Sequence, residues 1–328
     1  MEPLKIGEVL LPNRVVLAPM AGITDKAFRI IAREHGCGLI YTEMISAKAL
    51  TYKNERTKAL LDIQGEEQPI AVQLFGCEPK VMAEAAQIVA AEGVQLIDIN
   101  MGCPVPKVVR NGEGSALLEN PQLAKEIVQR MRRVVSLPIT VKIRTGWDQE
   151  NIVAVSFARE MEQAGVSAIA VHGRTREQFY SGFADWQIIK QVKEAVSVPV
   201  IGNGDIWVAQ DAQRMLLETG CDAVMLGRGV RGNPWLISQV SHYLTLGREL
   251  EPPDLPEKIR GALRHLSLEV KLKGEELGIK EMRKHLLWYL KGLPRTASLK
   301  EALFRTGKEQ EVVCLLQLYM EEQLRYNS

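Results

Sequence analysis

Eight short apolar runs recur along the chain up to about residue 230, and each is followed by a polar or glycine-rich loop and then by a longer stretch with helical periodicity. The runs are residues 15–18, 39–42, 70–74, 96–99, 139–143, 168–171, 198–201 and 223–226. Strands that alternate with helices predict a parallel sheet covered by its crossover helices. Eight such units favour a closed (β/α)₈ barrel, a TIM barrel, over an open sheet.

Apolar residues recur near the helical repeat between these runs, in residues 80–91, 122–134, 151–164 and 209–218. Asn120 and Pro121 supply an N-cap and a first-turn proline for one of these helices. Residues 45–64 are more charged and less regular, and we interpret them as short helices in an elaborated loop.

The pattern changes after Gly227. Asn233, Pro234 and Trp235 begin the expected eighth barrel helix, and residues 251–256 are rich in proline. From there to the C-terminus the chain is helical throughout, with no strand pattern. We therefore predict a barrel domain over residues 1–247, a linker over residues 248–256 and a small all-helical domain over residues 257–328.

Composition is that of an ordinary globular protein, with 46% hydrophobic and 25% charged residues. The first residues, Met1 to Lys5, are not an apolar signal segment, and no apolar run approaches the ~18 residues of a membrane span. Five scattered cysteines lack the spacing of a metal site or a disulfide framework. We expect a cytoplasmic monomer with no membrane partner and no bound metal.

Charge is distributed unevenly along the chain. Residues 258–308 contain 13 Lys and Arg against 5 Asp and Glu, a net charge of +8, whereas the rest of the chain carries −7. A basic block of this kind indicates either a polyanionic partner or a solvated helical surface. Charge alone leaves both interpretations open.

Alternate residues of a barrel strand face the interior, so strand parity identifies the side chains that point inward. By this rule Thr140, Lys142 and Arg144 share one face. Three further pairs of positions share the inward face in the same way: Ala170 with His172, Ala71 with Gln73, and Asp98 with Asn100. Polar groups thus point inward near the strand ends, where a ligand can satisfy them.

Two glycine-containing turns follow the last two predicted strands, Gly202-Asn203-Gly204-Asp205 and Gly227-Arg228-Gly229. Loops at these positions of a barrel commonly form a phosphate site, because glycines let backbone N–H groups approach the phosphate oxygens. Either motif alone fits an ordinary tight turn. The two in succession favour phosphate binding.

Lys142 on an interior face requires a negative partner or an extended route to solvent. The reduced ring of a flavin supplies such a partner. His172 fits either a structural hydrogen bond or a bond to a flavin or substrate carbonyl. The kinked apolar loop at Pro19, Met20 and Ala21 suits the face of a planar ring, and Gln73 suits an amide at the edge of that ring.

Cys103 follows the strand at residues 96–99, in a loop between Gly102 and Pro104 and three residues after Asn100. A thiol near its ordinary pKa is mostly protonated at neutral pH, so it can donate a proton as well as act as a nucleophile. An enzyme that delivers hydride to one carbon of a double bond needs such a donor at the other carbon. The remaining cysteines, Cys37, Cys77, Cys221 and Cys314, fit inert small hydrophobic side chains.

Taken in order, these motifs closely resemble the tRNA-dihydrouridine synthases, and most closely the bacterial B-type subfamily. The likeness begins near residue 4, runs through the barrel and continues in the segment Glu281-Met282-Arg283-Lys284-His285. The matching barrel motifs are residues 17–25, 73–76, 98–104, 141–144, 171–175, 202–206 and 225–229.

The resemblance implies a TIM barrel that holds FMN and a helical domain that helps to grip tRNA. It makes Cys103 the general acid, and it assigns Asn100 and Arg144 to the flipped uracil. In the implied reaction NADPH reduces FMN, the flavin passes hydride to C6 of a D-loop uracil, and Cys103 protonates C5. The residues that it sets against FMN are Pro19, Met20, Ala21, Gln73, Lys142, His172, Asn203, Gly204, Asp205, Gly227 and Arg228.

The charge pattern agrees with a tRNA substrate. A base stacked inside tRNA must be extruded to reach a barrel pocket, at a cost of roughly a few kcal/mol. Phosphate contacts from the basic segment offset that cost, and Arg174 and Arg176 are predicted to extend the basic surface over the pocket. Candidates for the phosphate contacts are Arg260, Arg264, Lys271, Lys273, Arg283, Lys284, Lys291 and Arg295.

Two other classes of function share part of this pattern. A flavin enzyme for a small metabolite, like dihydroorotate dehydrogenases or enoate reductases, has the barrel, the phosphate loops and the lysine, but it does not account for the basic C-terminal segment. A non-enzymatic RNA-binding protein uses the barrel as a scaffold. The presence of both Cys103 and Lys142 argues against that second class.

Overall fold

The computed structural model describes residues 4–327, with the side chains of Arg56 and Asn327 left out. Residues 1–3, on which the expectation about a signal segment partly rests, lie outside the described residues, as does Ser328.

Eight parallel strands form the predicted barrel. In sheet order they are β3 (Val15–Leu17), β11 (Ala223–Leu226), β10 (Val200–Asn203), β9 (Ala168–His172), β8 (Ile139–Arg144), β7 (Leu96–Met101), β6 (Ile70–Phe75) and β4 (Ile40–Tyr41). A backbone hydrogen bond of 2.9 Å from the N–H of Leu17 to the carbonyl of Leu39 brings β3 beside β4 and nearly closes the circle. The sequence-predicted strands are confirmed within two or three residues at each end.

Helices cover the outside of this barrel. The four helices predicted between the strands are confirmed, and the side chain of Asn120 accepts the predicted capping bond from the N–H of Leu123 at 3.1 Å. Two short helices, at Ala47–Thr51 and Glu55–Leu61, lie in the irregular segment as predicted. The helices are α1 (Lys26–Glu34), α2 (Ala47–Thr51), α3 (Glu55–Leu61), α4 (Pro79–Ala91), α5 (Pro106–Val109), α6 (Pro121–Arg132), α7 (Ala154–Ala164), α8 (Trp186–Ala195), α9 (Ala209–Thr219) and α10 (Trp235–Leu246), with 3₁₀ turns at Gly114–Glu119 and Arg228–Val230.

Strand parity separates two apolar cores. Outward residues such as Val72, Ile99 and Val141 pack against the helices. Inward residues such as Ala71 and Ala170 belong to a second cluster inside the barrel. The predicted inward face of the strands is therefore confirmed.

An antiparallel hairpin that no sequence pattern predicted precedes the barrel. Its strands are β1 (Leu4–Ile6) and β2 (Val9–Leu11), and Leu4, Ile6 and Leu11 are buried in the inner cluster. The hairpin therefore covers one end of the barrel with apolar side chains. A further short strand, β5 (Ile45–Ser46), pairs with the end of β6.

Four helices follow the barrel: α11 (Leu255–Lys273), α12 (Glu275–Tyr289), α13 (Ala297–Arg305) and α14 (Glu309–Asn327). They share an apolar cluster that includes Leu266, Met282 and Leu316. Asp254 and Glu257 begin α11 with reciprocal capping bonds. The all-helical C-terminal segment is confirmed, whereas its exact boundaries remain a prediction.

The C-terminal helices pack on the barrel against α1 and beside the start of α10. Leu268 of α11 lies in a small cluster with Ala27 and Ile31 of α1. Trp235 at the start of α10 contacts Tyr289 edge to face, with ring centroids 6.0 Å apart. Among residues 4–327, no helix combines the length and the hydropathy that a bilayer crossing requires.

Candidate active site

A cavity of about 500 Å³ opens at the carboxyl ends of the barrel strands. This is the end at which barrel enzymes place their chemistry, because the loops of all eight units meet there. The cavity brings Cys103, Asn100 and Arg144 together. It is also lined by every residue for which a flavin contact was predicted, namely Pro19, Met20, Ala21, Gln73, Lys142, His172, Asn203, Gly204, Asp205, Gly227 and Arg228.

The loop that carries Cys103 is held from both sides. The side-chain oxygen of Asn100, at the end of β7, accepts hydrogen bonds from the backbone N–H groups of Cys103 at 2.8 Å and of Gly102 at 3.2 Å. The carbonyl of Cys103 accepts from the hydroxyl of Ser115 at 2.9 Å and from its N–H at 3.1 Å. The thiol is thus presented on a fixed backbone at the mouth of the barrel.

Cys103 is half-buried. Burial raises the pKa of its thiol, although the charges of Arg144 and Lys142 act in the opposite direction. The thiol is therefore protonated at neutral pH, and the two cations lie near enough to stabilise the anion that remains after proton transfer. This environment suits a proton donor.

Lys142 on β8 is a half-buried cation that lacks a close carboxylate among the residues described. Its ammonium donates to the side-chain oxygen of Asn203 at 3.3 Å. Burial, together with the charge of Arg144, lowers the pKa of Lys142 to about 8, while Asp98 and Cys103 act the other way. Lys142 is thus mostly charged at neutral pH and suits a ligand with a negative edge.

His172 at the end of β9 is neutral at physiological pH. Burial holds the pKa of its imidazole well below the ordinary value, and the charges of Lys142 and Arg144 add to that effect. Nε2 of the ring lies 3.5 Å from a guanidinium nitrogen of Arg174. Because a guanidinium only donates, Nε2 is the acceptor and Nδ1 carries the proton.

The two predicted phosphate turns lie side by side after β10 and β11. Gly204 and Asp205 have φ values of +128° and +55°, so the backbone turns sharply there. The carboxylate of Asp205 accepts from Arg174 at 2.7 Å, from the N–H of Ala184 at 2.7 Å and from Arg228 at 3.1 Å. Such a turn with an arginine beside it has the character of an anion cradle.

Arg144 at the end of β8 connects two loops. Its guanidinium donates to the carbonyls of Gly102 at 2.9 Å, Thr175 at 2.7 Å and Phe179 at 2.9 Å. Burial lowers the pKa of Arg144 to about 10, which leaves the side chain charged. Its predicted contact with uracil remains a prediction, and its observed contacts hold the Cys103 loop against the β9–α8 loop.

Arg174 and Arg176 differ from the exposed basic surface that the sequence predicts. The side chain of Arg174 is only 1% exposed, and it donates to the carbonyls of Ser181 and Gly182 and to Asp205. Arg174 is buried because its charge is compensated by Asp205 of the β10–α9 loop, so it adds nothing to the exposed surface. Arg176 is half-buried, and its guanidinium lies 4.6 Å from the ring of Trp147. The predicted tRNA contacts of both residues remain untested.

The basic side chains of the C-terminal helices fall into two groups. Arg260, Lys271 and Lys291 are exposed, as a phosphate contact requires. Lys273 instead lies in a cluster with Asp25, Glu269 and Glu281, at 2.5, 2.7 and 2.6 Å. Because three carboxylates surround its ammonium, Lys273 is unsuited to the phosphate contact that was predicted for it.

Arg283 and Lys284 are neighbours on α12 but contact different parts of the protein. Arg283 donates to the carbonyl of Thr306 at 3.2 Å, which ties α12 to the end of α13. The ammonium of Lys284 lies beside Gly22 of the β3–α1 loop, 3.7 Å from where a Cβ on that glycine would be. Lys284 thus borders the loop that carries Pro19 to Ala21, and its contact with tRNA remains a prediction.

Several aromatic and sulfur-containing residues of the pocket were missed by the sequence analysis. Phe179 and Tyr180 come from the β9–α8 loop, Trp207 from the β10–α9 loop and Met44 from the loop after β4. The guanidinium of Arg228 lies 4.6 Å from the ring of Tyr180 and 5.3 Å from that of Trp207. The loops that carry these residues have no periodicity from which a side-chain direction can be predicted. The sequence indicates only that the residues follow strand ends, where a barrel places its pocket.

Within residues 4–327, two groups of possible metal ligands lie between α1 and the C-terminal helices, outside the pocket: His265 with Glu269 and His285, and Asp25 with Glu269 and Glu281. Lys273 supplies the cation for the second group. In the first group the two imidazole rings pack edge to face with centroids 4.4 Å apart. This arrangement is typical of aromatic packing. The expectation that the protein binds no metal is untested.

A barrel with a thiol, a half-buried lysine and an anion cradle at the ends of its strands belongs to the class of TIM-barrel enzymes. Two solved structures share the fold. A 2-naphthoyl-CoA reductase complex matches with a TM-score of 0.59 and 14% identity, covering 75% of this chain and 52% of that one. Histamine dehydrogenase from Rhizobium sp. 4-9 matches with a TM-score of 0.56 and 16% identity, covering 81% and 50%. The chain thus spans about half the length of these two structures.

Sequence comparison identifies the family within the class of TIM-barrel enzymes. A family model described as "Dihydrouridine synthase (Dus)" matches residues 16–324. "tRNA-dihydrouridine synthase B" of Pseudomonas aeruginosa is 42% identical over 96% of this chain and 94% of its own length. "Probable tRNA-dihydrouridine synthase 1" of Synechocystis sp. is 42% identical over 94% of this chain and 87% of its own. The chain therefore belongs to the dihydrouridine synthase family, in its bacterial B-type branch.

Proposed function

We propose that the protein reduces the 5,6 double bond of specific D-loop uridines in tRNA to dihydrouridine, with FMN as cofactor, NADPH as electron donor and Cys103 as proton donor. One observation carries this proposal: a protonated thiol, a lysine cation and an anion cradle line a single pocket at the carboxyl ends of the strands. Family membership supports the same reaction.

The residues of the pocket fit FMN. The sharp turn at Gly204 and Asp205, which has Arg228 beside it, is suited to the phosphate group of FMN. Lys142, whose ammonium has only the weak 3.3 Å bond to Asn203 within the described chain, is suited to the edge of the ring that becomes negative on reduction. Bound there, FMN supplies the redox chemistry by taking hydride from NADPH and giving it to C6 of the uracil.

Cys103 completes the addition across the double bond. As C6 accepts hydride, C5 gains electron density and takes the proton from Sγ of Cys103, leaving a thiolate that solvent later reprotonates. Burial keeps the thiol protonated beforehand, since it raises the pKa of the thiol. Arg144 and Lys142 then stabilise the sulfur anion, and Asn100 and Arg144 hold the extruded base.

The C-terminal helices supply the phosphate contacts for tRNA. Arg260, Lys271 and Lys291 are exposed cations on α11 and just after α12. Lys284, beside Gly22, extends the basic surface to the edge of the barrel mouth. Contacts of this kind offset the cost of extruding the uridine. A tRNA substrate implies that the protein works in the cytoplasm.

Anaerobic half-reactions test the proposal. Purified flavin-loaded protein is reduced with NADPH, and then uridine-containing tRNA that lacks dihydrouridine is added. We expect the flavin absorbance to return in step with dihydrouridine formed in the tRNA. The matched control is the same tRNA already modified, which leaves the flavin reduced. If small enones but not tRNA reoxidise the reduced flavin, the proposal is contradicted, and a flavin enzyme that acts on a small metabolite is favoured.

A further inference from the structure

A chain of hydrogen-bonded side chains runs through the barrel interior to the Cys103 loop. We propose that Asp98 is a positioning residue that fixes the Cys103 loop through the amides of Gln73 and Asn100. The inference deepens the proposed function and rests on the proton-donor role that it gives to Cys103.

The links of this chain are short and buried. The amide nitrogen of Gln73 donates to Asp98 at 2.7 Å, and the amide nitrogen of Asn100 donates to the side-chain oxygen of Gln73 at 2.8 Å. The side-chain oxygen of Asn100 then accepts from the N–H of Cys103 at 2.8 Å. Gln73 and Asp98 are fully buried and Asn100 is 8% exposed. Water therefore has little access to any link.

The two ends of the chain determine the orientation of both amides. An ionised carboxylate only accepts hydrogen bonds, so the nitrogen of Gln73 must face Asp98. A backbone N–H only donates, so the oxygen of Asn100 must face Cys103. Between these ends, the side-chain oxygen of Gln73 accepts the hydrogen bond that the side-chain nitrogen of Asn100 donates. Turning either amide over would set two donors or two acceptors against each other.

Asp98 is held at the far end by a second bond and by neighbouring charge. Its other oxygen accepts from the hydroxyl of Thr140 at 2.5 Å. Burial raises the pKa of Asp98 to about 6, while the bonds from Gln73 and Thr140 and the charge of Lys142 act against that rise. Lys142 on β8 and the phenol of Tyr41 on β4 are the other titratable groups that face Asp98. The carboxylate is thus ionised and able to accept at neutral pH.

Folding alone gives little reason for a carboxylate at this position. Leu96, two residues earlier on the same face of β7, is apolar and belongs to the inner cluster. Burying a carboxylate costs free energy unless hydrogen bonds satisfy it, and an apolar residue of similar size avoids that cost. What the carboxylate adds, and an apolar residue does not, is a fixed orientation for Gln73 and hence for Asn100.

The test compares Asp98→Leu, which has similar size and no acceptor, with Asp98→Asn, which keeps an acceptor oxygen. Thr140→Val is the matched control, since it removes the other bond of the carboxylate and leaves the chain to Cys103 intact. Alkylation of Cys103 by iodoacetamide is followed by mass spectrometry across pH, with the exposed Cys314 as internal reference. Dihydrouridine formation and NADPH-dependent flavin reduction are measured on the same flavin-loaded preparations.

In Asp98→Leu we expect Cys103 alkylation to accelerate about tenfold and its pH profile to shift toward that of an ordinary thiol, because the loop loses an anchor of about one hydrogen bond. Dihydrouridine formation falls by at least about tenfold, more than flavin reduction does. Asp98→Asn restores most of the wild-type alkylation profile and of the dihydrouridine formation. Thr140→Val, which keeps the bond from Gln73 to Asp98, shifts the alkylation profile much less than Asp98→Leu does. If Asp98→Leu does not fold, Asp98→Ala is measured in the same way.

The proposal is overturned if Asp98→Leu keeps the wild-type alkylation profile, or if Thr140→Val matches its effect, since either result reduces Asp98 to a packing role. An alkylation shift in Asp98→Leu with a wild type that forms no dihydrouridine contradicts the proposed function and leaves the positioning role standing.

Discussion

The ammonium of Lys273 in the last turn of α11 lies 2.5 Å from a carboxylate oxygen of Asp25, the N-cap residue of α1. This ion pair joins the C-terminal helices to the barrel at the start of α1. Glu269 and Glu281 contact the same ammonium. One lysine therefore provides the shared cation for three carboxylates between the helices and the barrel.

Lys273→Met is expected to destabilise the protein by about 3–5 kcal/mol at neutral pH, because it leaves the partly buried carboxylates without their cation. Lys271→Met, an exposed neighbour on the same helix, is the matched control and changes stability by less than about 0.5 kcal/mol. Urea unfolding measures both. Equal stability of the two variants would show that the cluster contributes nothing.

The pH dependence of this cluster has a definite sign. Burial favours the neutral form of Asp25, but hydrogen bonding with Glu269 and the ion pair with Lys273 outweigh it and hold the pKa of Asp25 below its ordinary 3.8. A depressed pKa contributes stability above pH 3.8, and that stability is lost as the pH falls through the folded value. In Lys273→Met that contribution is missing at neutral pH. The difference between variant and wild type therefore narrows below about pH 4, which urea unfolding at several pH values measures.

Flavin affinity of the apoprotein is expected to fall as the pH rises through about 8. Burial and Arg144 lower the pKa of Lys142 to that value, so its positive charge is lost above it. Lys142→Gln lowers affinity at pH 7 and flattens the profile between pH 7 and 9. Anaerobic titration with reduced FMN, followed by quenching of tryptophan fluorescence, measures this, because the ring edge assigned to Lys142 is negative only in the reduced state. A wild-type profile that stays flat across this range contradicts the role given to Lys142.

Gly232→Ala is expected to cost about 1–3 kcal/mol or more. Its φ is +65°, and a Cβ there lies 2.3 Å from the backbone carbonyl carbon of Trp288, where α12 packs against the end of the barrel. Gly274→Ala is the control, since Gly274 has φ +80° and no atom within 4 Å of the added Cβ. Thermal unfolding of both separates the close approach from backbone strain. Equal losses would show that the Trp288 contact relaxes.

Removing single cations from the exposed basic surface tests the tRNA interface. Lys271→Ala and Lys291→Ala are each expected to weaken tRNA binding and to reduce the salt slope of the binding constant by about one. Lys300→Ala on α13, outside the proposed contacts, is the comparison. Filter binding at several salt concentrations provides the data. A slope that is unchanged in both variants would remove these lysines from the interface.

The barrel and much of the pocket are predictable from the sequence because they depend on local periodicity. The alternation in residues 139–144 is enough to identify Lys142 and Arg144 as inward-facing. The position of Cys103, just after a strand end, is enough to place it at the mouth of the barrel. These predictions need only the period of a strand and the rule that parallel strands end at one edge.

Other features depend on contacts between distant segments and leave no periodic signal. The hairpin of β1 and β2 has strands of three residues, and its stability comes from burial against the barrel interior. Arg174 is buried because Asp205, thirty-one residues later, returns beside it. Lys273 is unsuited to the phosphate contact predicted for it because the carboxylate of Asp25 binds its ammonium instead. Asp25 lies near the other end of the chain, so no local pattern reveals this partner. The roles of the pocket residues stay predictions until they are tested by mutation.

The most direct test of the account is the dihydrouridine content of tRNA from a strain that lacks this protein and carries wild type, Cys103→Ala or Cys314→Ala in its place. A general acid contributes about 10²–10⁴-fold to a rate. We predict that wild type and Cys314→Ala restore dihydrouridine in the D-loop, while purified Cys103→Ala retains flavin and forms dihydrouridine at least about 100-fold more slowly. Full restoration by Cys103→Ala at the wild-type rate would contradict the proton-donor role, and no restoration by the wild type would contradict the proposed function itself.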